Sequence, residues 1–98
     1  MNIFHLTKKA KEDLRSIALY TQNRWGREQR NLYIKQFDES FILLSNAPQL
    51  GKACDDIKAK YRKFPQGSHI IFYKEADVSE MLVIRILHKN MDIDSKFD

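Results

Sequence analysis

The sequence contains one cysteine, three glycines and two prolines in 98 residues, and each of these scarcities excludes a class of protein. A single cysteine, Cys54, cannot form an intramolecular disulfide, so the chain is not a disulfide-stabilised scaffold of an oxidising compartment. So few glycines and prolines argue against a fibrous or disordered chain. No stretch approaches the ~20 apolar residues of a membrane span, and Met1–Ala10 has no apolar leader segment. We therefore expect one cytoplasmic globular domain over residues 1–98.

Motifs for metal, phosphate-loop and thiol chemistry are also missing. The sequence has no glycine-rich phosphate loop and no cysteine or histidine pairs with metal-ligand spacing. Cys54 precedes Asp55 and Asp56, whose negative charge would raise the pKa of a thiol and disfavour a reactive thiolate. The neighbouring carboxylates of Glu12 and Asp13 point in different directions on a helix, and we interpret them as a solvated surface pair. We expect neither a metal nor a cofactor.

Positive charge is the first feature that the sequence does offer. Seventeen basic and 13 acidic residues give a net charge of +4. Five basic residues and no acidic residue lie between Lys58 and Lys74, whereas the tail contains Asp92, Asp94 and Asp98. A basic patch suits an acidic partner, either nucleic acid or protein. Lysines that protect a sheet edge from aggregation would give the same pattern.

The first half of the chain has the pattern of a strand followed by two helices. Asn2–Leu6 is a short apolar run, and Thr7 suits the N-cap of a helix. Gly26 is a natural end for that helix. A second helix is expected to run from there towards Pro48. Together they predict a helical hairpin over about residues 7–46.

The second half has the alternating pattern of strands. Tyr61–Phe64, a turn at Pro65–Gly67 and Ser68–Lys74 indicate a hairpin, and Met81–Leu87 is a third run rich in β-branched residues. Short connections favour antiparallel pairing, so we expect sheet hairpins over about residues 59–88. The predicted fold class is α+β, in the order β-α-α-β-β-β, with the helical hairpin on one face of an antiparallel sheet. The tail, residues 89–98, is compatible with a short helix, an added strand or disorder.

The predicted second helix has two apolar faces. One stripe at helical spacing should face the sheet, and it comprises Tyr33, Ile34, Phe37, Phe41 and Leu44. Leu32 and Leu43 lie well round the helix from that stripe. Either they pack against the first helix, which is the favoured interpretation, or they bind a partner.

Basic and titratable side chains collect in the predicted sheet, namely Arg62, His69, Tyr73, Arg85 and His88. Arginine can offset the charge of a scissile phosphate, and histidine or tyrosine can move the proton of a 2′-hydroxyl, as RNA cleavage requires. The same residues could instead contact a protein, or have satisfied structural roles. Arg85 lies in an apolar run, where a buried unpaired charge is expensive, so it must reach solvent, a carboxylate or a ligand.

The order of these segments resembles the ParE toxins of the RelE/ParE superfamily. Single segments are weak, but the joint occurrence of the two-helix start and the Arg–Ile–Leu–His ending is specific. The matching segments are Ala10–Tyr20, Trp25–Gly26, Tyr33–Phe37, Asn46–Gly51, Tyr61–Arg62, Gly67–Tyr73, Val83–His88 and Asn90–Asp92.

The resemblance implies the toxin component of a type II toxin–antitoxin system, neutralised by a ParD-like antitoxin. Several ParE toxins poison DNA gyrase, so gyrase is the expected target, and nucleic acid is contacted only indirectly through gyrase or the antitoxin. The alternative is a ribosome-dependent messenger-RNA endoribonuclease of the RelE branch. Those enzymes typically have an arginine directly after the position of His69, where this chain has Ile70. This departure favours a toxin that binds its target without catalysis of its own.

The resemblance also suggests where the contacts lie. We expect the target to contact Arg62, Arg85, His88 and Met91, with Arg62, Arg85 and His88 on one face of the sheet. In the ribonuclease alternative, the catalytic residues would be Arg62, Arg85, His88 and Tyr73. The expected antitoxin contacts are an apolar set and a basic set that meets acidic groups: Trp25, Leu32, Leu43, Lys58, Lys60 and Lys63.

Overall fold

The computed structural model describes residues 3–78, 80–91 and 93–97. Asn2 of the predicted first strand and the tail residues Asp92 and Asp98 lie outside the described residues, as does the side chain of Asp94. The described helices and strands are β1 (Ile3–Leu6), α1 (Lys8–Trp25), α2 (Arg27–Asn46), β2 (Lys52–Ala53), β3 (Arg62–Gln66), β4 (His69–Asp77), β5 (Glu80–His88) and α3 (Ile93–Lys96), with a 3-10 turn at Pro48–Leu50.

The strands form one sheet in the order β1-β5-β4-β3-β2. The predicted α+β class is confirmed, and the three predicted strands after the helices, β3 to β5, pair antiparallel as expected. The short strand β2, which pairs antiparallel with β3, was not predicted. The sheet is nevertheless mixed, because β1 pairs in parallel with β5. The turn between β3 and β4 lies at Gly67–Ser68, so it begins two residues later than the predicted turn. Pro65 and Gln66 therefore belong to β3 and pair with Ile70 and His69.

Local capping signals fix the two long helices. The hydroxyl oxygen of Thr7 accepts a hydrogen bond from the Ala10 N–H at 3.0 Å, which confirms Thr7 as the N-cap of α1. The same hydroxyl donates to the Ile84 carbonyl at 2.8 Å and so ties the start of α1 to β5. Gly26 separates the helices with φ of +96°, a conformation that side-chain-bearing residues rarely adopt.

The sheet is covered on both faces. On the face that we call the helix face, α1 and α2 bury Ile71, Tyr73, Met81, Val83 and Ile86 under side chains that include Phe37, Phe41 and Leu44. On the opposite face, which we call the outer face, Cys54, Phe72 and Leu87 form a smaller apolar cluster. Following α3, Phe97 covers this cluster, with its ring centroid 5.0 Å from that of Phe72 and 5.8 Å from that of Tyr61. Within the tail, Ile93–Lys96 is thus a short helix that packs on the outer face.

The predicted apolar stripe of α2 is confirmed at its centre, because Phe37, Phe41 and Leu44 are buried. The favoured interpretation of the second apolar face is wrong. Leu32 and Leu43 are 50% and 47% exposed, so α1 does not bury them.

Candidate partner-binding surfaces

The basic and titratable residues of the sheet do not form one cluster. Arg85 pairs with Phe72, whereas Arg62 pairs with Tyr73 and His88 pairs with His69. Directly paired residues point to the same side of a sheet. Arg85 therefore lies on the outer face with Phe72, and Arg62 lies on the helix face with Tyr73.

The prediction that Arg62, Arg85 and His88 share one sheet surface is consequently wrong. A register shift at Phe72/Tyr73 makes Ile84 an extra residue in β5, and this bulge reverses the alternation before Arg85. His88 is on the helix face like Arg62, but their partners His69 and Tyr73 are four residues apart on β4, which corresponds to about 13 Å.

Arg85 forms an ion pair with a carboxylate, that of Asp13. A carboxylate was one of the three partners expected for Arg85, beside solvent and a ligand. Its Nε donates to Asp13 Oδ2 at 2.7 Å and its Nη2 donates to Asp13 Oδ1 at 2.9 Å. The backbone N–H of Ile86 donates to the same carboxylate at 3.0 Å. The hydrogen bonds that Arg85 donates to Asp13 raise the pKa of Arg85. The interpretation of Asp13 as a solvated surface residue is wrong. Asp13 joins α1 to the edge of β5 that lies beyond Val83, where β1 no longer pairs with β5.

Tyr73 has a structural environment that contradicts a role in proton transfer to a substrate. Its side chain is 0% exposed. Its hydroxyl donates to the Pro48 carbonyl and accepts from the Gly51 N–H at 2.9 Å, and burial raises its pKa. Arg62 supports the same loop by donating from Nη1 to the Gly51 carbonyl at 2.8 Å. The prediction of Tyr73 as a catalytic residue in the ribonuclease alternative is therefore wrong.

His69 and His88 form a pair at the opposite end of the helix face. Their ring centroids are 5.3 Å apart in an edge-to-face arrangement. His69 Nδ1 is 2.7 Å from the hydroxyl oxygen of Tyr33, which also accepts the Ser68 N–H at 3.1 Å. Burial, reinforced by nearby His88, lowers the pKa of His69 from 6.5 to about 4. The His69 imidazole is therefore neutral at physiological pH.

This lowered pKa predicts an acid-sensitive contribution to stability. The unfolded chain protonates His69 near pH 6.5, but the folded chain does so only near pH 4, so the unfolded state binds more protons between these values. The free energy of unfolding should therefore fall as the pH is lowered through this window. In urea titrations at several pH values, the fall should be smaller for His69→Gln than for the natural chain. An equal fall in both proteins would contradict this assignment.

The predicted antitoxin contacts lie on three separate surfaces. Trp25 is 64% exposed at the end of α1 and lines a cavity with His88, whereas the two leucines lie on α2. Lys58 and Lys60 are exposed in the loop between β2 and β3. Lys63 pairs with Phe72 and so lies on the outer face. Met91, a predicted target contact, is 45% exposed just after β5.

The outer face also carries a basic cleft that sequence reasoning only partly found. The cleft has a volume of about 330 Å³ and lies beside Tyr61 and Phe97. Its cationic residues come from four separate segments of the chain and are Lys8, Lys9, Lys58, Arg85 and Lys96. The helical period placed Lys8 and Lys9 on the solvent side of α1, but no local signal showed that α3 brings Lys96 beside them.

Other chemistry has little support in the structure. The Cys54 thiol is buried, and burial is the main cause of its raised pKa, with Asp56 and Asp55 adding to the effect as expected. Among the described residues, no group of three or more His, Cys, Asp or Glu side chains could hold a metal ion. In the same part of the chain, no helix combines the length and apolar character needed to cross a membrane.

Comparison with known proteins decides the family. A family model described as "ParE toxin of type II toxin-antitoxin system, parDE" matches residues 4–93. The chain belongs to the ParE toxin family. It is 35% identical to Toxin ParE1 of Mycobacterium tuberculosis over 89 residues, which is 91% of each chain. It is 33% identical to Toxin ParE1 of Caulobacter vibrioides over 92 residues, which is 94% of each chain.

A solved structure supports the fold of this ParE-family chain. The chromosomal ParDE toxin–antitoxin system of Pseudomonas aeruginosa contains a chain that matches with a TM-score of 0.74 at 18% identity. The match covers 90% of the present chain and 95% of the solved one. The resemblance inferred from sequence segments is thus confirmed, and the protein is a toxin of a type II toxin–antitoxin system.

Proposed function

We propose that this ParE-family toxin inhibits DNA gyrase by direct binding, without catalysis of its own. The observation that carries the proposal is the distribution of the residues that a nuclease would need. Tyr73 is buried and hydrogen-bonded, Arg85 is held by Asp13, and His88 lies on the other face of the sheet from Arg85. This arrangement disfavours the messenger-RNA endoribonuclease alternative. Because gyrase acts on bacterial DNA, the toxin would act in the cytoplasm.

The basic cleft of the outer face is the proposed contact surface for gyrase. The cleft gathers five cations, and Arg85, one of its lining residues, is held in place by two hydrogen bonds to Asp13. A rigid cation surrounded by mobile lysines suits an acidic protein surface, because lysines steer association and a fixed arginine sets the orientation. Of the predicted target contacts in the sheet, Arg85 therefore belongs to the proposed gyrase surface. Arg62 and His88 do not belong to it, because they lie on the helix face.

Purified toxin should inhibit the supercoiling of relaxed plasmid by gyrase. The double variant Lys9→Glu/Lys58→Glu should raise the toxin concentration for half-inhibition by about ten-fold or more, since it reverses two charges of the cleft. The matched control Lys35→Glu changes an exposed lysine of α2 and should behave like the natural toxin. If micromolar excess of toxin does not inhibit gyrase, the gyrase proposal is wrong. If both variants lose inhibition to the same extent, the cleft is not the contact surface.

We further propose that a ParD-like antitoxin covers the exposed leucines of α2. Leu32 and Leu43 are eleven residues apart, which places them on nearly the same side of the helix about 16 Å from each other. Both are about half exposed, and both point away from the apolar stripe that faces the sheet. An amphipathic antitoxin segment with apolar groups at matching spacing would bury them, and an acidic part of the same antitoxin that wraps round the toxin would meet Lys58, Lys60 and Lys63 on the other surfaces.

Replacing both leucines with aspartate should weaken the toxin–antitoxin complex at least about ten-fold. Full burial of a leucine side chain contributes about 1.5–3 kcal/mol, and about half of each side chain is still exposed for an antitoxin to bury. The free energy of unfolding of the toxin should change by no more than about 0.5 kcal/mol per substitution, as for other surface positions. Leu19→Asp on α1, where the leucine is 60% exposed, is the matched control. Unfolding that accompanies the loss of binding would show that the leucines belong to the core.

A further inference from the structure

A second cavity, of about 510 Å³, opens on the helix face beside the bend of the helical hairpin. Tyr20 and Trp25 line it from α1, Tyr33 from α2, and Ser68, His69 and His88 from the sheet. The volume falls within the range of small-ligand sites. Neither the cleft proposed for gyrase nor the leucines of α2 belong to this cavity.

Aromatic rings dominate the walls, and they differ in solvent exposure. Tyr20 and Trp25 are 63% and 64% exposed, which is unusual for side chains of this size. Tyr33 and His69 are fixed by their mutual hydrogen bond, with ring centroids 5.7 Å apart. A planar ligand can therefore stack between exposed rings and a rigid floor, as unpaired bases do on Trp, Tyr and His side chains.

The cavity offers a hydrogen-bond donor at His88. His88 Nδ1 accepts the Asn90 N–H at 3.1 Å, so the neutral His88 ring carries its proton on Nε2. None of the described residues that line the cavity is acidic. A hydrocarbon ring such as phenylalanine would leave this donor unpaired, whereas the carbonyl oxygens and ring nitrogens of a base would accept from it.

Basic residues are neighbours of the residues that line the cavity. The guanidinium carbon of Arg24 lies 5.3 Å from the centroid of the Trp25 ring. Lys89 directly follows His88, and its N–H donates to the Ser68 carbonyl at 3.0 Å. Exposed rings beside basic residues are the combination that binds single-stranded nucleic acid with little sequence preference.

We propose that this cavity binds an unpaired nucleobase, carried either by a free nucleotide or by a single strand of nucleic acid. The toxin would then contact nucleic acid directly, and not only through gyrase or the antitoxin. This inference does not depend on the gyrase proposal, because it concerns a different face and a different ligand.

The single tryptophan of the chain, Trp25, provides the measurement. Emission of the full-length toxin should be quenched saturably by UMP, by AMP or by a short thymidine oligonucleotide, and not by inorganic phosphate or ribose phosphate. Binding of the mononucleotides would identify a free nucleotide as the ligand. Binding of the oligonucleotide alone would identify a nucleic-acid strand that needs the flanking cations.

Tyr20→Ala keeps the reporter and should weaken binding by about 5- to 150-fold, the usual effect of removing one stacking ring. The neighbouring Leu19→Ala, which changes an exposed residue outside the lining, should bind like the natural chain. The proposal is overturned if no base-containing probe quenches Trp25, or if Tyr20→Ala and Leu19→Ala bind equally well. It is also overturned if the amide of N-acetylphenylalanine binds as tightly as the nucleotides, since the cavity would then be a site for an aromatic side chain of a protein.

Discussion

Replacing Asp13 with alanine should lower the free energy of unfolding by about 3 kcal/mol, because it leaves a largely buried guanidinium without its counter-ion. The Asp13 and Arg85 side chains are only 15% and 16% exposed, so water cannot fully replace the lost carboxylate. The substitution also removes the acceptor of the Ile86 N–H at the free edge of β5. Urea denaturation of the purified variant measures the effect.

Two companion variants separate the ion pair from a general effect of removing charge. Glu12→Ala removes the neighbouring, exposed carboxylate and should change the free energy of unfolding by less than about 0.5 kcal/mol. Asp13→Asn keeps one acceptor oxygen and should fall between the two alanine variants. Equal stabilities of Asp13→Ala and Glu12→Ala would show that the pair contributes nothing to the fold.

Replacing Gly51 with alanine should be similarly costly, at about 3 kcal/mol, because the new methyl group has no room. A Cβ at this position would lie 2.1 Å from the hydroxyl oxygen of Tyr73 and 2.7 Å from two of its ring carbons. Tyr73 is completely buried and is fixed by hydrogen bonds to Pro48 and Gly51, so it cannot move without disturbing the core. Forcing extra methyl groups into a packed core usually costs about 1–3 kcal/mol, and the lost hydrogen bond adds to that figure.

A double-mutant cycle tests whether Tyr73 is the cause. Tyr73→Phe alone should cost about 2 kcal/mol, because it leaves the Pro48 carbonyl and the Gly51 N–H without their partner. The double variant Gly51→Ala/Tyr73→Phe removes the atom of closest approach, so its cost should be clearly smaller than the sum of the single costs. Additive costs would mean that the clash with the tyrosine hydroxyl is not what destabilises Gly51→Ala.

Elements with local signals were predictable from the sequence. Thr7 and Gly26 mark helix ends through their own backbone preferences, and the stripe of Phe37, Phe41 and Leu44 follows from helical periodicity alone. The parallel pairing of β1 was not predictable from short connections, because both helices and the strands β2 to β4 lie between β1 and β5 in the chain.

The site was less predictable, because it depends on one residue of register and on contacts between distant segments. The extra residue Ile84 turns Arg85 to the outer face, and alternation counted along the sequence cannot reveal such a bulge. The partner of Arg85 is Asp13, 72 residues earlier, which looks in the sequence like any carboxylate on a solvated helix. The exposure of Leu32 and Leu43 likewise depends on how α1 crosses α2, which a single sequence does not specify.

The most direct test of the central claim is the response of bacterial cells to induced synthesis of the toxin. A gyrase inhibitor that acts by binding should induce DNA-damage signalling, while primer extension on translated messages shows intact transcripts. The response should be lost in the Lys9→Glu/Lys58→Glu variant and retained in Lys35→Glu. Cuts at ribosome-occupied codons without DNA-damage signalling would contradict the account and establish the endoribonuclease alternative.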